Sequence, residues 1–189
     1  MNIETNMKNV WHGIDDSRIQ PNDFIVCIEI PKGSKKKYEL DKKSGLMILD
    51  RILTTSTQYP ANYGFIPRTI SDDGDPLDVM VLSSQSIDPF TLVRCYPIGV
   101  VTMVDGGDKD DKIIAIPYKD PIYNYYQNVE SLPPHIIDEL IHFLKVYKNL
   151  ENTVTEVSPI KGLQDALDAV TEAKEKYAFR FNMFSEDKK

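Results

Sequence analysis

Two short windows of the sequence concentrate acidic side chains. Asp72-Asp73-Gly74-Asp75-Pro76-Leu77-Asp78 holds four carboxylates in seven residues, and Asp105-Gly106-Gly107-Asp108-Lys109-Asp110-Asp111 again holds four in seven. Like charges this close repel and raise one another's proton affinity unless cations screen them. Oxygen-only ligation selects a hard cation such as Mg²⁺, Mn²⁺ or Ca²⁺. Asp-Gly and Asp-Pro also build turns without any metal, but two such windows, each abutting an apolar run, favour the metal. Neither follows the calcium-loop spacing D-x-[DN]-x-[DN]-G. His12, His135 and His142 are scattered, with no C-x-x-C or H-E-x-x-H spacing to suggest zinc. His142 reads as helix packing or a subunit contact. A Gly-x-Ser-x-Gly elbow and a phosphate-binding P-loop are both missing, so side-chain nucleophilic catalysis has no support. Cations that could meet an anion are Lys37, beside Tyr38-Glu39, Arg51, directly after Asp50, and Lys148, after Tyr147. A lone Lys or Arg is ordinarily a solvated surface charge, and Lys32, Lys35, Lys36, Lys42 and Lys43 are read that way.

The elements that must position these groups are mostly strands. Phe24–Ile30 is β-rich and closed by Pro31-Lys32-Gly33. Lys37–Leu40 and Leu46–Asp50 flank Asp41-Lys42-Lys43-Ser44-Gly45, a hairpin signal. Strands follow at Leu77–Leu82, Leu92–Val104 and Lys112–Ile116, with Tyr59–Phe65 as an aromatic loop before them. Helices come late, one from Pro133-Pro134 through Tyr147 and one from about Ile160 to Tyr177. The fold class expected is α+β, mainly β: a small closed OB-like barrel with two C-terminal helices packed outside. Residues 1–20 read as an arm that packs loosely or against a neighbouring subunit, 21–180 as one domain and 181–189 as a tail. Cys27 and Cys95 lie in apolar runs and read as small hydrophobes in a reducing compartment. With neither an apolar span nor a signal peptide, the expectation is a cytoplasmic protein that engages no membrane. The formal charge of −7 over 189 residues disfavours nucleic acid as a partner. It is also localised: residues 72–78 carry −4 and residues 105–111 carry −3, leaving the rest of the chain balanced.

Taken together, these residues resemble soluble family I inorganic pyrophosphatase of the short prokaryotic type. Asp73-Gly74-Asp75-Pro76-Leu77-Asp78 matches that family's signature D-[SGDN]-D-[PE]-hydrophobic-D without a mismatch. Around it, in the family's order, stand Glu29, Lys37-Tyr38-Glu39, Asp50-Arg51 and Tyr59-Pro60-x-Asn62-Tyr63-Gly64. Asp105, Asp110, Lys112 and Tyr147-Lys148 then follow. The resemblance implies hydrolysis of pyrophosphate to two phosphates by direct attack of a metal-activated water, with three to four Mg²⁺ per site once substrate is bound. It implies Mn²⁺ or Zn²⁺ as substitutes and Ca²⁺ as an inhibitor. Asp73, Asp78, Asp105 and Asp110 would hold metals, and Glu29 and Glu39 would act mostly through metal-bound water. Lys37, Arg51, Tyr147 and Lys148 would grip the phosphates, Lys112 would sit between carboxylates and phosphate, and Tyr59 and Tyr63 would line the cavity. Asp75 would be the general base, with Tyr63, Lys37 and Arg51 completing the catalytic set. Asp72, Asp108 and Asp111 would be surface residues. A homo-oligomer is implied, a hexamer in the first instance. Trp11 in a long arm, the tyrosine-rich Tyr118–Asn128 and the tail have no motif to match.

Two readings from other classes compete. A small barrel can bind an oligonucleotide or a sugar, but such a module wants basic and aromatic residues on one sheet face without two aspartate windows. A non-catalytic divalent-cation protein explains the windows but gives no reason for Lys37, Arg51 and Lys148.

Overall fold

In the computed structural model the described residues are 9–105, 107–151 and 155–186, and the side chains of 105, 108 and 182–186 lie outside that description. After a short helix α1 (Val10–Gly13) the strands are β1 (Ile19–Gln20), β2 (Asp23–Ile30), β3 (Lys36–Leu40), β4 (Met47–Ile52), β5 (Asn62–Phe65), β6 (Asp78–Val81), β7 (Leu92–Asp105) and β8 (Asp108–Pro117). Helix α2 (Pro134–Val146), strand β9 (Thr155–Val157) and helix α3 (Leu163–Glu186) complete the order. Strand β2 pairs with β5, β5 with β6, β6 with β8, β8 with β7, and β7 returns to β2. The sheet therefore closes on itself as a five-stranded ring, as the small closed barrel requires. Strands β3 and β4 form a separate hairpin. Among the described residues no helix is long and apolar enough to cross a membrane.

Both faces of the ring's strands are covered, which is why they read as continuous apolar runs rather than alternating ones. Val79, Val81, Ile113 and Ala115 enter one cluster with Ala166, Val170 and Ala173 of α3. Their neighbours Met80, Leu82, Ile114 and Ile116 enter another with Leu140, Phe143 and Leu144 of α2. Cys27 and Cys95 are free and buried, and burial pushes the Cys27 thiol up to about 12.

Three sequence expectations are revised. Tyr59–Phe65 is not a loop throughout, since Asn62–Phe65 is a strand in the middle of the ring. Asn and Gly disguise it, yet Gly64 is required there: a Cβ at Gly64 would lie 2.0 Å from the Cys27 carbonyl oxygen of β2. The arm, over its described half, is not loose. Trp11 is buried, donates its Nε1–H to the Thr69 carbonyl at 2.9 Å and packs edge-on against Phe181 at 5.5 Å. His12 Nδ1 lies 2.7 Å from the Tyr177 hydroxyl. Helix α3 accordingly runs past Tyr177, because Tyr177 and Phe181 have the arm's aromatic rings to pack against. His142 is exposed on α2, as a subunit contact would need and helix packing would not.

Candidate active site

Strand register builds the site. In the parallel pair of β6 with β8, Asp78 stands opposite Lys112, and in the pair of β5 with β6, Asp78 stands opposite Phe65. Asp110 lies two residues before Lys112 and so shares its face of the strand. The Asp-Gly turn before β6 has Gly74 at φ +86°, a conformation glycine adopts freely. There the Asp75 backbone N–H donates to Asp73 Oδ1 at 2.9 Å, which anchors the Asp73 carboxylate on the turn. On the far wall, Glu29 of β2 accepts the Leu40 N–H at 2.8 Å and so ties the hairpin to the ring.

These side chains converge on a cleft of about 520 Å³. Glu29, Glu39, Asp73, Asp75, Asp78 and Asp110 line it, as do Lys37, Lys112 and Lys148 with Tyr63 and Tyr147. The anticipated site residues whose side chains are described thus meet at one place, with two exceptions, Arg51 and Tyr59. Arg51 is not in the wall: its Nε donates to Asp50 at 2.8 Å and its Nη1 to Glu151. Asp105 ends β7, and its side chain lies outside the described residues. Tyr59 does not line the cleft either; it is core, packed against Tyr63 at 5.4 Å and Phe143 at 4.8 Å. Sequence reasoning also missed participants. Tyr38, Asp41, Lys42 and Lys43 line the cleft, and Lys42 is ion-paired to Asp75. A lysine doublet in a hairpin turn carries no sequence signal that separates it from solvent-facing lysines; only the way the hairpin folds over the ring does.

Electrostatics set the character of the cleft. Lys112 is 2% exposed, and burial by itself would lower its proton affinity. The Asp78 and Asp110 carboxylates outweigh that and hold the ammonium well above its ordinary value. Its Nζ donates to Asp78 Oδ2 at 2.8 Å, to Asp110 at 2.9 and 3.0 Å, and to the Tyr63 hydroxyl at 2.8 Å. Tyr63 in turn donates to Asp78. Burial, and then the charge of Asp78, push Glu29 up to about 8. Burial likewise raises Asp73 and Asp110. The carboxylates of the cleft outnumber its lysines, a donor set that fits a hard cation in kind. Among the described residues no three acidic, His or Cys side chains stand ready to hold a metal unaided; at Asp78 and Asp110 the Lys112 ammonium occupies the space between the carboxylates.

Comparison with known proteins places this cleft in context. A family model described as inorganic pyrophosphatase matches residues 26–178. The inorganic pyrophosphatase of Synechocystis is 48% identical over 168 residues, covering 87% of this chain and 99% of that protein. Soluble inorganic pyrophosphatase 1 of Arabidopsis thaliana is 44% identical, covering 89% of this chain and 79% of that one. Among solved structures, the inorganic pyrophosphatase of Thermus thermophilus superposes with a TM-score of 0.85 at 32% identity, over 89% of this chain and 98% of that one. The Helicobacter pylori enzyme superposes with a TM-score of 0.82 at 38% identity, over 84% and 95%.

Proposed function

Since the chain belongs to the inorganic pyrophosphatase family and is a hydrolase acting on pyrophosphate, we propose that it works with Mg²⁺ in the cleft described above and uses Asp75 as general base. The observation that carries this reading is the convergence in one cleft of Asp73, Asp75, Asp78 and Asp110 with Lys37, Lys112 and Lys148. Asp73, Asp78 and Asp110 would hold the metal, with Asp105, Glu29 and Glu39 assisting. Mg²⁺, when bound, offsets the charge of the substrate and lowers the proton affinity of a water. The rest falls to the chain's own groups. Pyrophosphate is highly anionic, so the ammonium groups of Lys37, Lys112 and Lys148 neutralise charge where it grows in the transition state. The Tyr63 hydroxyl, set by Asp78 and Lys112, and the Tyr147 hydroxyl orient phosphate oxygens. Asp75, half-exposed on its turn, accepts a proton from the attacking water. Arg51 joins only by exchanging its carboxylate partners for a phosphate. The reading includes a cytoplasmic homohexamer, and the exposed Leu46, Ile48, Leu49 and Ile52 of the hairpin offer apolar surface for contacts between copies.

Purified protein should release phosphate from pyrophosphate with several millimolar Mg²⁺ and release none after chelation. Correctly folded protein that stays inactive in Mg²⁺ would overturn the reading. Ca²⁺ should compete with Mg²⁺ yet support turnover poorly, since its larger and looser coordination misplaces the reacting groups. Measuring rate against Ca²⁺ at fixed Mg²⁺ checks this, and brisk hydrolysis in Ca²⁺ alone would count against it.

A further inference from the structure

We propose that Lys42 is a further substrate-positioning residue: it is paired with Asp75 and passes to a phosphate oxygen when pyrophosphate enters. The proposal rests on the pyrophosphatase reading and adds to it a residue outside the family signature.

Each part of Lys42 is separately held, unlike a solvated surface lysine. Its carbonyl accepts the Asn9 side-chain amide at 2.9 Å. Its ammonium lies 5.5 Å from the centre of the Trp11 ring and donates to Asp75. The loop around it is closed by the Asp41 N–H to the Leu46 carbonyl and the Gly45 N–H to the Asp41 carbonyl, both at 2.8 Å. Gly45 sits so close to the N-terminal segment that a Cβ there would lie 3.1 Å from that of Asn9. The segment before the ring thus aims the hairpin tip at the catalytic turn.

The ion pairs in the cleft differ in how readily they break. Lys112 is buried between two carboxylates, and Lys37 is held by Glu39 and Asp50. Among the described residues Lys42 pairs with Asp75 alone, and both side chains are about half exposed, at 43% and 56%. A pair so exposed contributes little, so of these three lysines Lys42 is the one most easily drawn to an entering polyanion. Its departure leaves Asp75 without a counter-ion at the moment when the water it faces must give up a proton. No covalent bond to Lys42 forms or breaks.

The test compares wild type with Lys42→Met and Lys42→Arg in Mg²⁺, by steady-state kinetics on pyrophosphate and by calorimetric binding of imidodiphosphate, its non-hydrolysable P–N–P analogue. Loss of one charge-assisted contact predicts that Lys42→Met raises KM and the analogue's Kd by about tenfold, with kcat within about threefold. Lys42→Arg should recover both to within about threefold of wild type. Lys42→Met with KM and Kd unchanged, a loss confined to kcat, or an arginine variant as weak as the methionine one would each overturn the proposal. If wild type hydrolyses pyrophosphate and Lys42→Met is indifferent, this inference alone fails; an inactive wild type removes the functional reading as well.

Discussion

Asp75→Asn should retain the fold and most of the metal affinity while losing turnover by about 10²–10⁴-fold, the usual contribution of a positioned general base. The substitution is nearly isosteric, and the turn that carries it is fixed by the Asp75 backbone N–H to Asp73, which the variant keeps. Among the described residues its side chain is ion-paired with Lys42 only, at an exposed position, so stability should barely change. An amide cannot take the proton that a carboxylate takes, so hydroxide from solution must replace the water. The remaining activity should therefore climb with pH and shift the optimum upward. Steady-state rates across pH 6 to 10, read beside calorimetric Mg²⁺ binding, separate the two effects. A variant as active as wild type at neutral pH would show that the base lies elsewhere.

The proposal of Asp75 over its neighbours as the base was legible from the chain only through the resemblance. Spacing alone gives three equivalent aspartates in Asp73, Asp75 and Asp78. The structure separates them physically: Asp78 is bonded by Lys112 and Tyr63, Asp73 is turned toward the Asp75 N–H, and Asp75 faces the open cleft with a replaceable partner. The strands of the ring other than β5 were legible because burial on both faces makes long stretches of their residues apolar. Strand β5 was not, because its Asn62 and Gly64 are chosen for contacts and not for propensity. Asn62 Oδ1 accepts the N–H groups of Lys32 and Ile87, at 2.9 and 2.8 Å, and Gly64 admits the backbone of β2. Residues 9–20 looked polar because they contribute single anchors such as Trp11, Ile14 and Ile19 instead of a periodic face. The grip of Arg51 on Glu151 spans 100 residues of sequence, and the pair of Lys42 with Asp75 spans 33. Neither partnership leaves a local pattern to read.

Lys112→Met should be the most damaging substitution for the fold and the site together. The ammonium is buried and holds Asp78, Asp110 and the Tyr63 hydroxyl within 3.0 Å. Removing one partner from a buried ion pair leaves an uncompensated charge and costs about 3–5 kcal/mol. At roughly 2–4 °C per kcal/mol for a domain of this size, the melting temperature in chelator should fall by about 6–20 °C. The sign of the pH dependence follows from the same groups. Lys112 is held above its ordinary value, so in wild type its contribution is fully present at neutral pH and is lost only as pH rises past 10.5. In the variant, Asp110, already raised by burial, has no cation to oppose its proton. A carboxyl raised in the folded state binds more protons there than in the unfolded chain, so stability is greatest below its unfolded value and falls as pH rises through its folded one. The deficit against wild type should therefore be smallest near pH 5 and grow toward pH 8. Mg²⁺ should restore part of it, because a bound cation stabilises the folded state by mass action and supplies the missing positive charge. Wild type should gain less from the same Mg²⁺. Melting curves at pH 5 and 8, each with chelator and with Mg²⁺, give all four quantities. If the variant melts within about 2 °C of wild type in chelator at pH 8, a shift of well under 1.5 kcal/mol, then the Asp78–Lys112–Asp110 cluster does not hold the cleft together as its distances indicate.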